Sequence, residues 1–287
     1  MKTISTTQLI VLTSLVMVAF AANSLLCREA LASGSIGYAD FTLARLISGA
    51  VTLWLLVLLF NGSKKLRGSW LSALALFGYA ALFSLAYLTL SAGTGALLLF
   101  GAVQITMISW GLIKGERLTL SKWLGVLSAF LGLTWFVAPG VQAPPLLGSM
   151  MMVAAGVCWG VYSLRGRGAN NPTADTAGNF VRAAPLAMLL YLVPSETTIM
   201  ATTTGWLLAI ASGALASGVG YALWYAVLPK LTAATSATVQ LSVPIIAAIG
   251  GVVFLGEPFE SRLMIASAVV LGGIFLFIHS GRKSQNQ

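Results

Sequence analysis

Ten apolar stretches, each near the length needed to cross a bilayer, constrain the fold of this chain more than any other feature. They run 9–27, 39–60, 70–90, 94–113 and 123–138, then 146–164, 176–193, 205–228, 233–255 and 263–278. A hydrocarbon core of ~30 Å takes a helix of ~20 apolar residues. Lipid offers no partner for unpaired backbone N–H and C=O groups, so stretches of this length must be helical. The expected fold class is therefore an all-α integral membrane protein with ten transmembrane helices. Composition agrees, since 58% of residues are hydrophobic and 8% charged, and a soluble domain so poor in charge would aggregate.

The formal charge of +9 raises the possibility of nucleic-acid binding, but its distribution argues for membrane orientation instead. Lys2, Lys64, Lys65, Arg67, Lys114, Arg117, Lys122, Arg165, Arg167, Lys230, Arg282 and Lys283 fall on one side of the expected topology. The opposite loops carry Arg28 and Arg262, while Arg45 and Arg182 lie inside helices. Both termini are accordingly expected in the cytoplasm, with a lipid bilayer and no nucleic acid as partner. Cys27 and Cys158 lack the spacing of a metal or redox motif and read as packing residues.

The stretches repeat. Gly115-Glu116 precedes the fifth and Gly256-Glu257 the tenth, and the same 141-residue offset places Thr94 on Thr235, Ala96 on Ala237 and Gly132 on Gly273. Phe20-Ala21-Ala22-Asn23-Ser24-Leu25 aligns with Trp159-Gly160-Val161-Tyr162-Ser163-Leu164, Arg28 with Arg167, and Arg45 with Arg182. A unit of five helices, an odd number, inserts its second copy upside down, as in many secondary transporters. The expected domains are a first repeat at 1–138, a Pro-rich linker at 139–145 and a second repeat at 146–287.

On the aligned glycine–glutamate pairs, Trp159-Gly160 and the paired arginines, the chain resembles the drug/metabolite transporter superfamily, in particular its ten-helix members with two EamA-type repeats. Phe20-Ala21 stands where that family typically has Trp-Gly, and Val103 where the second repeat has Pro244, so the halves are unequal. The resemblance implies a multi-pass carrier of the inner membrane that exports small metabolites or drugs.

A polar side chain inside a membrane helix is costly unless partnered, so each is a functional candidate. All seven acids fall at helix ends or in loops, and the one histidine, His279, closes the last helix. This argues against a buried proton relay and against a cation site built on a membrane carboxylate. Arg45 and Arg182 lie a few residues into their helices and are expected to snorkel to the interface as anchors or loop partners. What remains is neutral and aromatic. The candidate substrate-binding residues are Asn23, Tyr79, Tyr87, Gln104, Trp159, Tyr162, Tyr221, Trp224 and Gln240. Tyr221 and Trp224 are three apart on one helix face, as are Trp159 and Tyr162. Such walls suit a small molecule with an apolar body and polar ends.

The expected function is export of small neutral or zwitterionic metabolites, foremost amino acids including aromatic ones, by alternating access through facilitated diffusion or exchange. A proton-coupled multidrug or metabolite exporter is the alternative, and a membrane scaffold or sensor the non-transporting one. Enzyme chemistry is not expected, since there is no H-E-x-x-H pair or G-x-S-x-G elbow. No cofactor or catalytic metal is called for, and the ten-helix chain can work as a monomer.

Overall fold

The computed structural model describes residues 5–61, 66–115, 118–166, 169–193, 199–231 and 233–279. Among them every regular element is helical. The first half comprises α1 (Thr6–Ala32), α2 (Tyr38–Asn61), α3 (Trp70–Tyr87), α4 (Ala92–Ile113) and α5 (Leu120–Val137). The second comprises α6 (Leu146–Gly166), α7 (Pro172–Leu186), α8 (Thr203–Ala211), α9 (Gly220–Val227), α10 (Ala233–Gln240), α11 (Ser242–Leu255) and α12 (Ser261–His279). Among the described residues nine helical stretches are long and apolar enough to cross a membrane, with Thr203–Lys230 counting as one.

Local sequence explains the helix starts. Ser69, Ser91 and Thr202 accept hydrogen bonds from Ser72, Thr94 and Gly205 backbone nitrogens, and Ser5 and Gln8 form a capping box. The seventh expected span departs most from expectation. It starts earlier, where Asn171 accepts from Ala174 N and Pro172 occupies the first turn. Pro185 cannot donate to the helical ladder, and the chain continues from Ala187 to Leu192 as 3-10 turns. The eighth span contains a π-helical turn at Ser212–Val219 between α8 and α9. The ninth is interrupted at Leu241, three residues before Pro244, which separates α10 from α11.

Packing interleaves the halves. α1 lies against α8, α9, α11 and the π turn; α2 against α7, α8 and the π turn; α3 against α6 and α7; and α4 against α6 and α11. α5 pairs with α12 at one edge. Neither half therefore buries its own core, which is built from both: Phe41, Leu76, Phe83 and Tyr87 on one side, Met152, Phe180 and Val270 on the other. The outer surface is a belt of exposed Leu, Ile, Val and Phe, including Ile10, Leu59, Leu131, Leu207 and Phe254, as lipid contact requires. Trp54, Trp70, Trp123 and Trp206 are exposed within it.

Close approach depends on small residues. A side chain at Gly213 would run into the Ser48 hydroxyl and the Arg45 carbonyl oxygen, so the π turn and α2 touch backbone to side chain. Gly256, with φ +64°, ends α11 in the left-handed region and turns Glu257 back toward the bundle. Gly115, its counterpart by the 141-residue offset, has φ +91°. Glu116, Arg117 and Arg167 of the repeat motif, and Lys2, Lys64, Lys65, Arg282 and Lys283 of the charge pattern, lie outside the described residues.

Candidate functional site

A small cavity of about 20 Å³ lies where the halves meet. Phe20, Asn23 and Ser24 from α1, Tyr79 and Phe83 from α3, and Leu99 and Phe100 from α4 supply one part of its wall. Trp159 from α6, Ala216 from the π turn and Tyr221 from α9 supply the other. Its volume holds one water at most, so a substrate fits only if these walls separate. The larger groove of about 480 Å³ along α11 and α12 is lined by exposed Ile249, Val253 and Phe259 and belongs to the lipid-facing flank.

Aromatic rings make most of the wall. Trp159 sits 4.8 Å from Tyr79, 5.1 Å from Tyr221 and 5.3 Å from Tyr162, centroid to centroid. Phe20 meets Tyr221 edge-on at 5.9 Å and Trp224 at 6.0 Å. Pairs at these separations contribute about 0.5–1.5 kcal/mol beyond burial. A connected polar network runs behind them. The Ser212 hydroxyl donates to Asn23 Oδ1 at 2.7 Å, and Asn23 Nδ2 donates to the Tyr79 hydroxyl oxygen at 3.2 Å. The same oxygen accepts from Arg45 Nη2 at 3.0 Å.

That last contact overturns the expectation that Arg45 reaches the interface and leaves the interior neutral. Arg45 is 1% exposed. Its guanidinium lies over the rings of Tyr79 and Phe83, 5.1 and 4.9 Å from their centroids. Seven residues after the start of α2, or about 10 Å along its axis, its side chain turns inward because α3 presents a hydroxyl and two ring faces there. Cation–π contact offsets part of the cost of burying the charge. Arg182 does act as a loop partner, donating from Nη1 to the Arg67 and Gly178 carbonyl oxygens.

Asn23, Tyr79, Trp159 and Tyr221 thus line the cavity directly. Tyr162 stacks behind Trp159, and its hydroxyl donates to Thr176 Oγ1 at 3.4 Å. Tyr87 packs on Phe83 and donates to the Ala92 carbonyl, away from the opening. Trp224 touches the site through Phe20. Gln104 is buried one helical turn beyond Phe100 and does not reach the wall. Gln240 folds back onto its own helix, donating to the Ser236 carbonyl at 3.1 Å. Sequence reasoning passed over Phe20, Phe83, Phe100 and Ser212 as ordinary apolar or small residues. Arg45 carried a usable signal, since an ionisable residue inside a span is a functional candidate until shown otherwise.

One end of the bundle is tied shut across the halves. Arg28 donates from Nε to Glu257 Oε1 at 3.2 Å and from Nη1 to the carbonyls of Tyr87 and Leu88 at 3.0 and 3.3 Å. Both Glu257 carboxylate oxygens accept from Ala92 N, at 3.0 and 2.9 Å, capping α4. This is the one ion pair among the described residues. Nearby Glu260 has its carboxyl pushed above the ordinary range by burial and then by the Glu257 charge.

Nine apolar helical stretches among the described residues, packed as interleaved halves with a belt for lipid, define a multi-pass membrane protein. Residues 146–279 match the sequence profile of the EamA-like transporter family, so the second half of the chain carries a domain of that family. An uncharacterized protein of Pseudomonas aeruginosa is 51% identical over 270 residues, 94% of each chain. An uncharacterized transporter of Archaeoglobus fulgidus is 26% identical over 216 residues, covering 72% of this chain and 76% of its own. The threonine/homoserine exporter RhtA of Escherichia coli K12 is 28% identical over 152 residues, about half of each chain (51% and 50%). A solved crystal structure superposes with a TM-score of 0.67 over 94% of this chain and 97% of its own, at 21% identity, and so shares the fold.

Proposed function

We propose that this protein exports small zwitterionic or neutral metabolites, foremost amino acids, across the inner membrane by alternating access. The observation that carries the reading is the cavity walled by Asn23, Tyr79, Trp159 and Tyr221, drawn from both halves of the chain. Its aromatic lining suits an apolar body, and its single polar network suits a polar head group. The relationship to an exporter of threonine and homoserine supports both direction and substrate class.

The mechanism rests on two inverted five-helix repeats, 1–138 and 146–287, joined by 139–145, with both termini cytoplasmic. In support of a tenth span, Pro172–Leu192 extends for about 34 Å, 15 residues at 1.5 Å and six at 2.0 Å. Its ends contact opposite ends of the bundle: Arg67 N donates to the Ala174 carbonyl, and the Tyr38 hydroxyl to the Val193 carbonyl. Among the described residues no Asp, Glu or His lines the cavity, which favours facilitated diffusion or exchange over proton-driven export. The chain works as a monomer in this scheme.

Counterflow of labelled phenylalanine, methionine, threonine, glutamate and lysine into proteoliposomes tests the proposal. Saturable uptake of the neutral amino acids without a pH gradient is expected. Failure of all five with folded protein would refute the substrate class, and strict dependence on a pH gradient would favour the proton-coupled alternative.

A further inference from the structure

Arg45 holds a full positive charge inside the bundle, and no carboxylate among the described residues answers it. Its Nη2 is satisfied by Tyr79, but its Nη1 is buried and has no hydrogen-bond partner. Among the described residues no Asp or Glu comes within ion-pair distance of it. An unpaired buried cation costs several kcal/mol, and Tyr79 and Phe83, the rings that offset part of this, are themselves cavity walls. A guanidinium is a planar fork whose geometry matches a carboxylate. The opposite end of a zwitterion meets no charged partner there: the described cavity wall has no acid and offers only the neutral Asn23 Oδ1, which already accepts one bond from Ser212, and ring faces.

We infer that Arg45 binds the carboxylate of the transported molecule, and that the site selects for this group ahead of an amine. The inference rests on the transporter reading above but narrows it differently. Organic carboxylates carrying an aryl or alkyl body are substrates whether or not they bear an amino group. When the walls part, Nη1 donates to the carboxylate, Tyr79 holds the other arm of the guanidinium in place, and Phe20, Trp159 and Tyr221 enclose the apolar remainder.

Binding to the purified full-length protein in nanodiscs, followed by calorimetry, decides the matter. One probe series is phenylalanine, phenylalaninamide, phenethylamine and 3-phenylpropionate; a second is threonine, threoninamide and 3-hydroxybutyrate. The acids of at least one series are expected to bind, with the matching amide ~10–100-fold weaker, the loss of one charged hydrogen bond. Arg45→Gln should bring acid and amide together while the elution profile stays that of folded protein. The wild-type comparison decides even if that variant misfolds. Equal binding of acid and amide overturns the inference and leaves the amino-acid reading intact. Binding of the amine-free acids alone sustains it and refutes the amino-acid reading. Absence of binding by every acid overturns both. Displacement of the acids by chloride at comparable concentration would assign Nη1 to an inorganic counter-ion and likewise overturn it.

Discussion

Glu257→Gln is the substitution whose effect on the resting state follows most directly from geometry. Glu257 joins the α11–α12 connection to the α4 N-terminus and to Arg28, so it holds the two halves together at one end. The side chains of Arg28 and Glu257 are 22% and 11% exposed, which leaves little solvent screening. Glutamine keeps one carbonyl oxygen for Ala92 N but loses the charge on Arg28 and the second acceptor. Losing a charged hydrogen bond costs about 2 kcal/mol, or roughly 30-fold in the closed-to-open ratio at 1.4 kcal/mol per decade. Cys27, fully buried and adjacent to Arg28, is a native reporter. In a Cys158→Ala background, its modification by a maleimide in nanodiscs should accelerate about 30-fold, because a buried thiol reacts in proportion to the open population. A rate within twofold of the parent, with the protein still folded, would refute the view that this pair holds the end shut.

Further outcomes are expected from other residues. Gly213→Ala should lower the melting temperature in detergent, since its methyl group would fall on Ser48 and the Arg45 carbonyl, and overpacking costs about 1–3 kcal/mol. Gly272→Ala, with nothing near the added carbon, should be neutral or stabilising by up to ~1 kcal/mol through helix propensity. Asn23→Ala should reduce transport and cost about 1–3 kcal/mol of stability by leaving the Ser212 hydroxyl without its acceptor. The raised Glu260 carboxyl binds its proton more tightly in the folded state than in the unfolded state. Its contribution to stability is therefore fully present below the ordinary carboxylate range and is lost as pH rises through the folded value. Melting curves against pH for Glu260→Gln and its parent should show this as a difference that grows with acidity in the parent's favour. The opposite slope would contradict it.

The helical membrane architecture is legible because apolar length alone imposes it, and two of the departures, at Pro185 and Pro244, occur where proline withholds a donor. The site was legible only where a residue was conspicuous in a span. Asn23, Tyr79, Trp159 and Tyr221 stand out as polar or amphipathic among Leu and Ala. Phe20, Phe83 and Phe100 do not, since a phenylalanine facing lipid and one facing a cavity look alike in one dimension. Gln104 and Gln240 show the converse, polar residues that the helix rotation carries away from the wall. Arg45 shows the limit most sharply: depth along α2 says how far a side chain could reach, but its direction is set by Tyr79 and Phe83, 34 and 38 residues later in the chain.

The pairing of α5 with α12 bears on how the halves can move. A carbon added at Gly125 would meet the Gly273 carbonyl, and one added at Gly273 the Gly125 carbonyl, so the backbones cross in contact. Arg262 of α12 donates to the carbonyls of Trp135, Phe136, Ala138 and Val141 at the end of α5, and Lys122 of α5 lies 5.7 Å from the Phe277 ring centre. The final helix of each half is thus fastened to the other half along its length. The pair acts as the spine of a book whose covers are the remaining helices: it can tilt, but it does not slide apart. Any opening must be taken up as bending in connections that join this pair to the other helices, such as 138–145 and 256–260, and its amplitude is bounded by how far those short segments can turn.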